Sequence, residues 1–158
     1  METKIKTSPK PDRAVNILLV GNNPIELSKM RDVLQRVPGH KIIAEIAFDL
    51  KSIWQRLLQF RPNFILIDDN IGRQELSETV ATLSANRKTK DVPITVLKNS
   101  NFEEALPSNE IADYVLKRNL TGEALYSTLR NSLKFRRTRQ YLAEAYNKRK
   151  RELLKLFG

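Results

Sequence analysis

The stretch Arg61-Pro62-Asn63-Phe64-Ile65-Leu66-Ile67-Asp68-Asp69-Asn70 decides how the rest of the chain is read. A polar entry leads into four consecutive apolar residues, and two carboxylates close the run. Apolar residues without alternation describe a strand buried on both faces, as in a parallel sheet covered by helices. Such a strand delivers Asp68 to its carboxyl end, where open α/β sheets place their functional sites.

Working outward, the flanking segments supply the other parts of that sheet. Val15-Asn16-Ile17-Leu18-Leu19-Val20 is a strand stopped by Gly21, and Asn23-Pro24-Ile25-Glu26 opens a helix with an N-cap, a proline at N1 and a glutamate at N3, a variant capping box. Leu27, Met30, Leu34 and Val37 line one face of that helix before Pro38-Gly39 ends it. A second strand spans residues 41–48. Asp49 then caps a helix whose apolar face is Ile53, Trp54, Leu57 and Leu58. After the central strand, Leu76, Val80 and Leu83 mark a helix over residues 74–85. Pro93 to Leu97 and Tyr114 to Leu116 read as two further strands, and Thr121 caps a last helix bearing Leu125, Leu129 and Leu133. Alternating strands and helices imply a parallel sheet with both faces covered. Five strands suit the flavodoxin-like (βα)5 order 2-1-3-4-5. The connection over residues 98–110 breaks the pattern, because Pro107 sits where a helix interior belongs. The fourth helix is expected to be degenerate: short, distorted or absent.

Composition narrows the function classes. Of 158 residues none is cysteine, so disulfides, thiolate nucleophiles and thiolate metal sites are excluded. The opening residues have no apolar core of a signal peptide, and no stretch is long enough to span a bilayer; a cytoplasmic setting is expected. The net charge of +10 is unevenly placed. Residues 1–13, expected to be a disordered lead, carry four basic and two acidic side chains; residues 14–133 carry fifteen and fourteen; residues 134–158 carry nine and two. The folded body is nearly neutral and the basicity belongs to a C-terminal extension.

In the order of its parts, the segment 14–133 resembles the receiver domain of response regulators. The motifs that carry the resemblance are Pro62 to Asp68 and Ala112-Asp113-Tyr114-Val115-Leu116-Lys117. The resemblance implies a phosphoacceptor aspartate at Asp68, a switch aromatic at Tyr114 and a lysine at Lys117. It also implies an acidic pair after the first strand that helps to bind Mg²⁺, and a Thr or Ser ending the fourth. Here the acidic pair falls on Gly21 and Asn22, the hydroxyl position on Lys98, and the proline usually following the lysine on Arg118. These exchanges make the pocket about three charge units more positive than the family pattern. A hard cation held by carboxylate oxygens would be repelled by the ammonium groups. Phosphoryl transfer without the metal loses its main means of neutralising developing charge.

Asp68 is therefore expected to be a vestigial phosphoacceptor in a pseudo-receiver that is not an enzyme and takes no metal or cofactor. Lys98 and Lys117 are expected to pair with it and fix the pocket in one state. Asp69 is expected to be a solvated turn residue, His40 a surface turn residue, Trp54 part of the core and Tyr114 a fixed packing residue. The alternative is a two-component receiver phosphorylated on Asp68.

The last helix has no glycine or proline between Lys134 and Phe157, so it is expected to run on. Phe135, Leu142, Tyr146 and Leu153 form a seam broken by Arg149 and flanked by basic residues. The segment 134–158 reads first as a signalling helix that engages a protein partner, a linked output domain or a second copy. Nucleic-acid binding through its basic side chains ranks behind that, and a solvated tail is the third reading. The other expected contact surfaces are residues 98–110 and the edge of the fifth strand.

Overall fold

The chain folds around a five-stranded parallel sheet in the order β2-β1-β3-β4-β5. The strands are β1 (Val15–Val20), β2 (Ile42–Ala47), β3 (Phe64–Asp68), β4 (Ile94–Lys98) and β5 (Ile111–Leu116), and the helices α1 (Pro24–Gln35), α2 (Leu50–Leu57), α3 (Arg73–Ala85) and α4 (Gly122–Phe157). The structure, a computed structural model, describes residues 14–99, 110–117 and 120–157, with the side chains of 133–140 and 157 outside that description. The expected irregularity at Pro107 and most of the segment 98–110 lie outside the described residues.

Side-chain alternation along β3 explains why its run is uniformly apolar. Phe64 and Leu66 join one core with Leu27, Leu34, Leu125 and Leu129, while Ile65 and Ile67 join the opposite core with Ile53, Leu57, Leu76, Val80 and Leu83. Every residue of this strand is buried, because helices cover both faces. Leu19 pairs with Leu66 and Val20 with Ile67, so β1 and β3 end side by side at the point where the strand order reverses. Trp54 and Tyr114 are partly buried against the second core. Leu58 departs from the expected apolar face. The helix ends at Leu57, and Leu58, as its C-cap, is 76 % exposed. His40 is exposed but packs against Tyr126 of α4, with ring centroids 4.3 Å apart and the planes tilted by 41°.

The helix starts follow local chemistry. Asn23 accepts from the backbone N–H groups of Ile25 and Glu26. Asp49 accepts from Ser52 N while Ser52 Oγ accepts from Asp49 N, a full capping box. Glu26, read as the return arm of a box on α1, points elsewhere, to the carboxyl ends of the strands.

Helix α4 meets α1 at Gly122. A Cβ there would lie 2.8 Å from the carbonyl oxygen of Val33 and 3.0 Å from its Cγ1. Alanine in a helix ordinarily gains about 1 kcal/mol over glycine. At this contact the methyl group must push two backbones apart, a strain of about 1–3 kcal/mol. Gly122→Ala is therefore expected to lower the denaturant midpoint at unchanged m-value; an increase would mean that α4 is not clamped on α1.

Candidate functional site

The carboxyl ends of β1, β3 and β4 meet the start of α1 around one buried carboxylate. Asp68, 2 % exposed, closes β3 opposite Leu97 of β4. Its Oδ1 accepts from the backbone N–H of Asn70 at 3.0 Å and from Asn99 Nδ2 at 2.8 Å, and its Oδ2 pairs with the ammonium of Lys117. Both oxygens are thus engaged by donors, as a buried carboxylate requires.

Lys117 follows β5, two strands away from β3. Its backbone N–H donates to the carbonyl of Lys98 at 2.9 Å, extending the β4–β5 ladder by one step. From there its side chain crosses the end of β4 to Asp68 and continues to Glu26 Oε2 at 3.0 Å. Burial is the largest influence on Lys117 and disfavours its charged form. The hydrogen bonds and charges of Asp68 and Glu26 together outweigh it, holding the pKa above the ordinary lysine value. Burial acts in the opposite direction on the phenol of Tyr114, on β5, and raises its pKa.

The remaining contacts close the site from the sides. Asn99 donates through Nδ2 to both Asp68 and Asp69, and its backbone N–H meets Asp69 Oδ1 at 3.2 Å. Asp69 is therefore held by β4's exit and is not simply a solvated turn residue: a 3-10 turn over Asp69–Ile71 swings it alongside Asp68 instead of leaving the two pointing apart. Asn22 donates from Nδ2 to the carbonyl of Asn70 at 2.9 Å, and Asn70 Nδ2 reaches Glu26 at 3.4 Å. Gly72, at φ 98°, lets the chain leave this turn and enter α3.

Of the positions singled out in the sequence, Asp68, Asn22 and Lys117 converge here. Gly21 packs tightly: a Cβ would stand 3.0 Å from Leu27 Cδ2 and 3.3 Å from Asp68 Cβ. Lys98 is half-buried at the end of β4, and Asn99, one residue further on, reaches Asp68. Tyr114 lies in β5, packed against the second core. On α4, Leu142, Tyr146 and Leu153 are exposed far from the site, and the side chain of Phe135 lies outside the described residues. Sequence reasoning missed Glu26 and Asn99. Glu26 was hidden by its fit to a capping box. Asn99 carried no signal beyond its place after a strand.

The resemblance to receiver domains implies a Mg²⁺ ion beside Asp68, and the residues present do not fit one. Gly21 offers no side chain, Asn22 is turned to a backbone carbonyl, and the space between Asp68 and Glu26 is bridged by an ammonium. Among the described residues no group of three or more Asp, Glu, His or Cys side chains converges to hold a metal ion. No described helix is long and apolar enough to cross a membrane.

No protein-family model matches the chain, and no curated protein matches its sequence. Solved structures match in shape. A sensor protein from Polaromonas sp. JS666 aligns with a TM-score of 0.64 at 14 % identity, over 77 % of this chain and 98 % of that one. The signal receiver domain of an HD domain-containing protein from Pseudomonas fluorescens Pf-5 gives 0.62 at 18 %, over 80 % and 99 %. The chemotaxis response regulator CheY4 of Vibrio cholerae gives 0.58 at 21 %, over 77 % and 100 %. At these identities the likeness establishes the fold, a flavodoxin-like arrangement of the receiver type.

Proposed function

We propose that this chain is a pseudo-receiver: a signalling module that works by protein contact and without phosphorylation. The observation that carries the reading is Lys117 bridging Asp68 and Glu26. An aspartate that attacks phosphorus needs a free oxygen lone pair and a cation to neutralise the transferring group. Here three donors, from Asn70, Asn99 and Lys117, already engage both oxygens of Asp68. The ammonium supplies one fixed positive charge, and the tight packing at Gly21 resists a restored carboxylate.

The contact surface in this reading is the exposed half of α4. Leu142, Tyr146 and Leu153 recur at spacings of four and seven along it, with Leu156 continuing the stripe and Arg149 interrupting it. Large apolar side chains at such spacing suit a partner helix, from a second copy or from an output domain. Light scattering over a concentration series distinguishes the two: mass doubling identifies a second copy, and a constant monomer leaves a different protein as the partner.

The buried placement of Asp68 at the end of the central strand favours one other reading, a working phosphoacceptor. Incubation with acetyl phosphate and Mg²⁺ followed by intact-mass measurement decides between them. The expected result is no phosphate adduct while a competent receiver in the same buffer is modified. A stoichiometric adduct that disappears in Asp68→Asn would make the protein a phosphorylated switch.

A further inference from the structure

The end of the sheet opposite Asp68 carries a second feature, which the pseudo-receiver reading does not use. A cleft of about 660 Å³ opens there between the α2–β3 and α3–β4 connections. It is lined by Arg61, Arg87 and Lys88 together with the apolar Leu58, Phe60 and Pro62, and among the described residues no acidic side chain lines it. The adjoining loops add Arg36, Lys41 and Lys90 against Asp91 and Glu110. Since residues 14–133 are close to neutral in sum, the body is electrically polarised, with its positive pole at the amino ends of the strands.

Some of that charge compensates helix dipoles, because α1, α2 and α3 all end at this pole. Dipole compensation does not require an open apolar floor or rigid walls, and both are present. Asn16 fixes the loop of Arg61 by accepting from Asn63 N at 2.7 Å through its carbonyl and donating from Nδ2 to the Arg61 carbonyl at 3.0 Å. Asn86 Oδ1 accepts from Lys88 N at 2.9 Å, and Thr89 Oγ1 donates to Leu83 O at 2.5 Å, which fixes the other wall. The backbone that carries the cations is thus held in place, so the ordering cost of a ligand is confined to their side chains. Helix α4 leaves the body at the same pole, as the Tyr126–His40 contact shows, and extends it with Lys148, Arg149, Lys150 and Arg151.

We propose that this pole binds single-stranded nucleic acid: phosphates track the basic walls and α4, and unpaired bases enter the cleft against Phe60 and Leu58. A cationic groove with an apolar and aromatic floor is the chemistry that holds a flexible strand without sequence preference. A rigid duplex keeps its bases stacked and gains nothing from such a floor. An acidic peptide matches the charge but has no flat rings to place there.

The test uses the full chain and a fluorescent thymidine 20-mer, read by anisotropy across a salt series. Binding should weaken steeply with salt, and exceed that of a matched duplex and of polyglutamate used as competitor. Arg61→Glu with Arg87→Glu and Lys88→Glu should raise the Kd at least tenfold and flatten the log–log salt slope by about two. Thermal unfolding confirms that this variant folds, and Arg87→Gln with Lys88→Gln serves as the milder form, expected to lose about threefold or more. Absence of binding at low salt, equal affinity for the duplex, full competition by polyglutamate, or unchanged affinity in a folded cleft variant each overturns the proposal. In the last case α4 alone would be the binding element.

Discussion

Lys117→Met is expected to destabilise the protein by about 3 kcal/mol, because it strands a buried carboxylate that has lost its charge partner. The lower end of the range for breaking a buried pair applies, since Asp68 keeps the donors of Asn70 and Asn99, and Lys117 is 17 % exposed. For a protein of this size that corresponds to a fall in Tm of about 6–12 °C. The double variant Asp68→Asn/Lys117→Met removes both charges and should recover at least half of the loss, which measures the coupling directly. The effect also has a pH signature. The folded-state pKa of Lys117 is raised, so its contribution is fully present below the unfolded lysine value of about 10.4 and is lost as pH rises through the folded value. The stability gap between wild type and Lys117→Met should therefore shrink in strong base and stay level between neutrality and about pH 9. A single variant as stable as wild type would sink the claim that the bridge holds the site closed.

The second large effect separates the two halves of α4. Leu129 is fully buried between α1 and the sheet, and Leu129→Ala should cost about 3–4 kcal/mol in lost burial and residual cavity. Leu142 and Tyr146 lie on the same helix but are 59 % and 66 % exposed. In dilute solution their alanine variants should each stay within about 0.5 kcal/mol of wild type. If a second copy covers the exposed stripe, the wild-type Tm will rise with protein concentration while the Leu142→Ala Tm will not. A cost at Leu142 equal to that at Leu129, independent of concentration, would show that the far half of α4 folds back on the body.

Most of the sheet and its helices could be read from local pattern. The apolar run of β3, the caps at Asn23 and Asp49 and the punctuation at Gly21 and Pro38-Gly39 each act over a few residues, so the sequence carries them openly. The misread boundary at Leu58 arose because an apolar residue at helical spacing looks alike whether the helix continues or stops. The site was harder. Asp68 announced itself by following a buried strand, and Lys117 was noticed through resemblance to a family motif. Glu26 and Asn99 gave no such cue, since each has an ordinary local reading and meets Asp68's surroundings only across the strand ends.

By itself, then, the sequence determined the parallel α/β architecture, the absence of cysteine chemistry, the uncharged Gly21 and Asn22 that follow the first strand, and the concentration of charge beyond residue 133. These follow from periodicity and composition, which need no knowledge of what lies opposite. Tertiary structure alone decided that Lys117 spans two strand ends to reach both Asp68 and Glu26, that Asn99 joins the two adjacent carboxylates, and that Arg61 and Arg87 share a cleft. The physical reason is the parallel topology. Each strand's ends meet residues from distant crossovers, and the direction in which a long side chain extends depends on which carboxylate the fold brings within its reach.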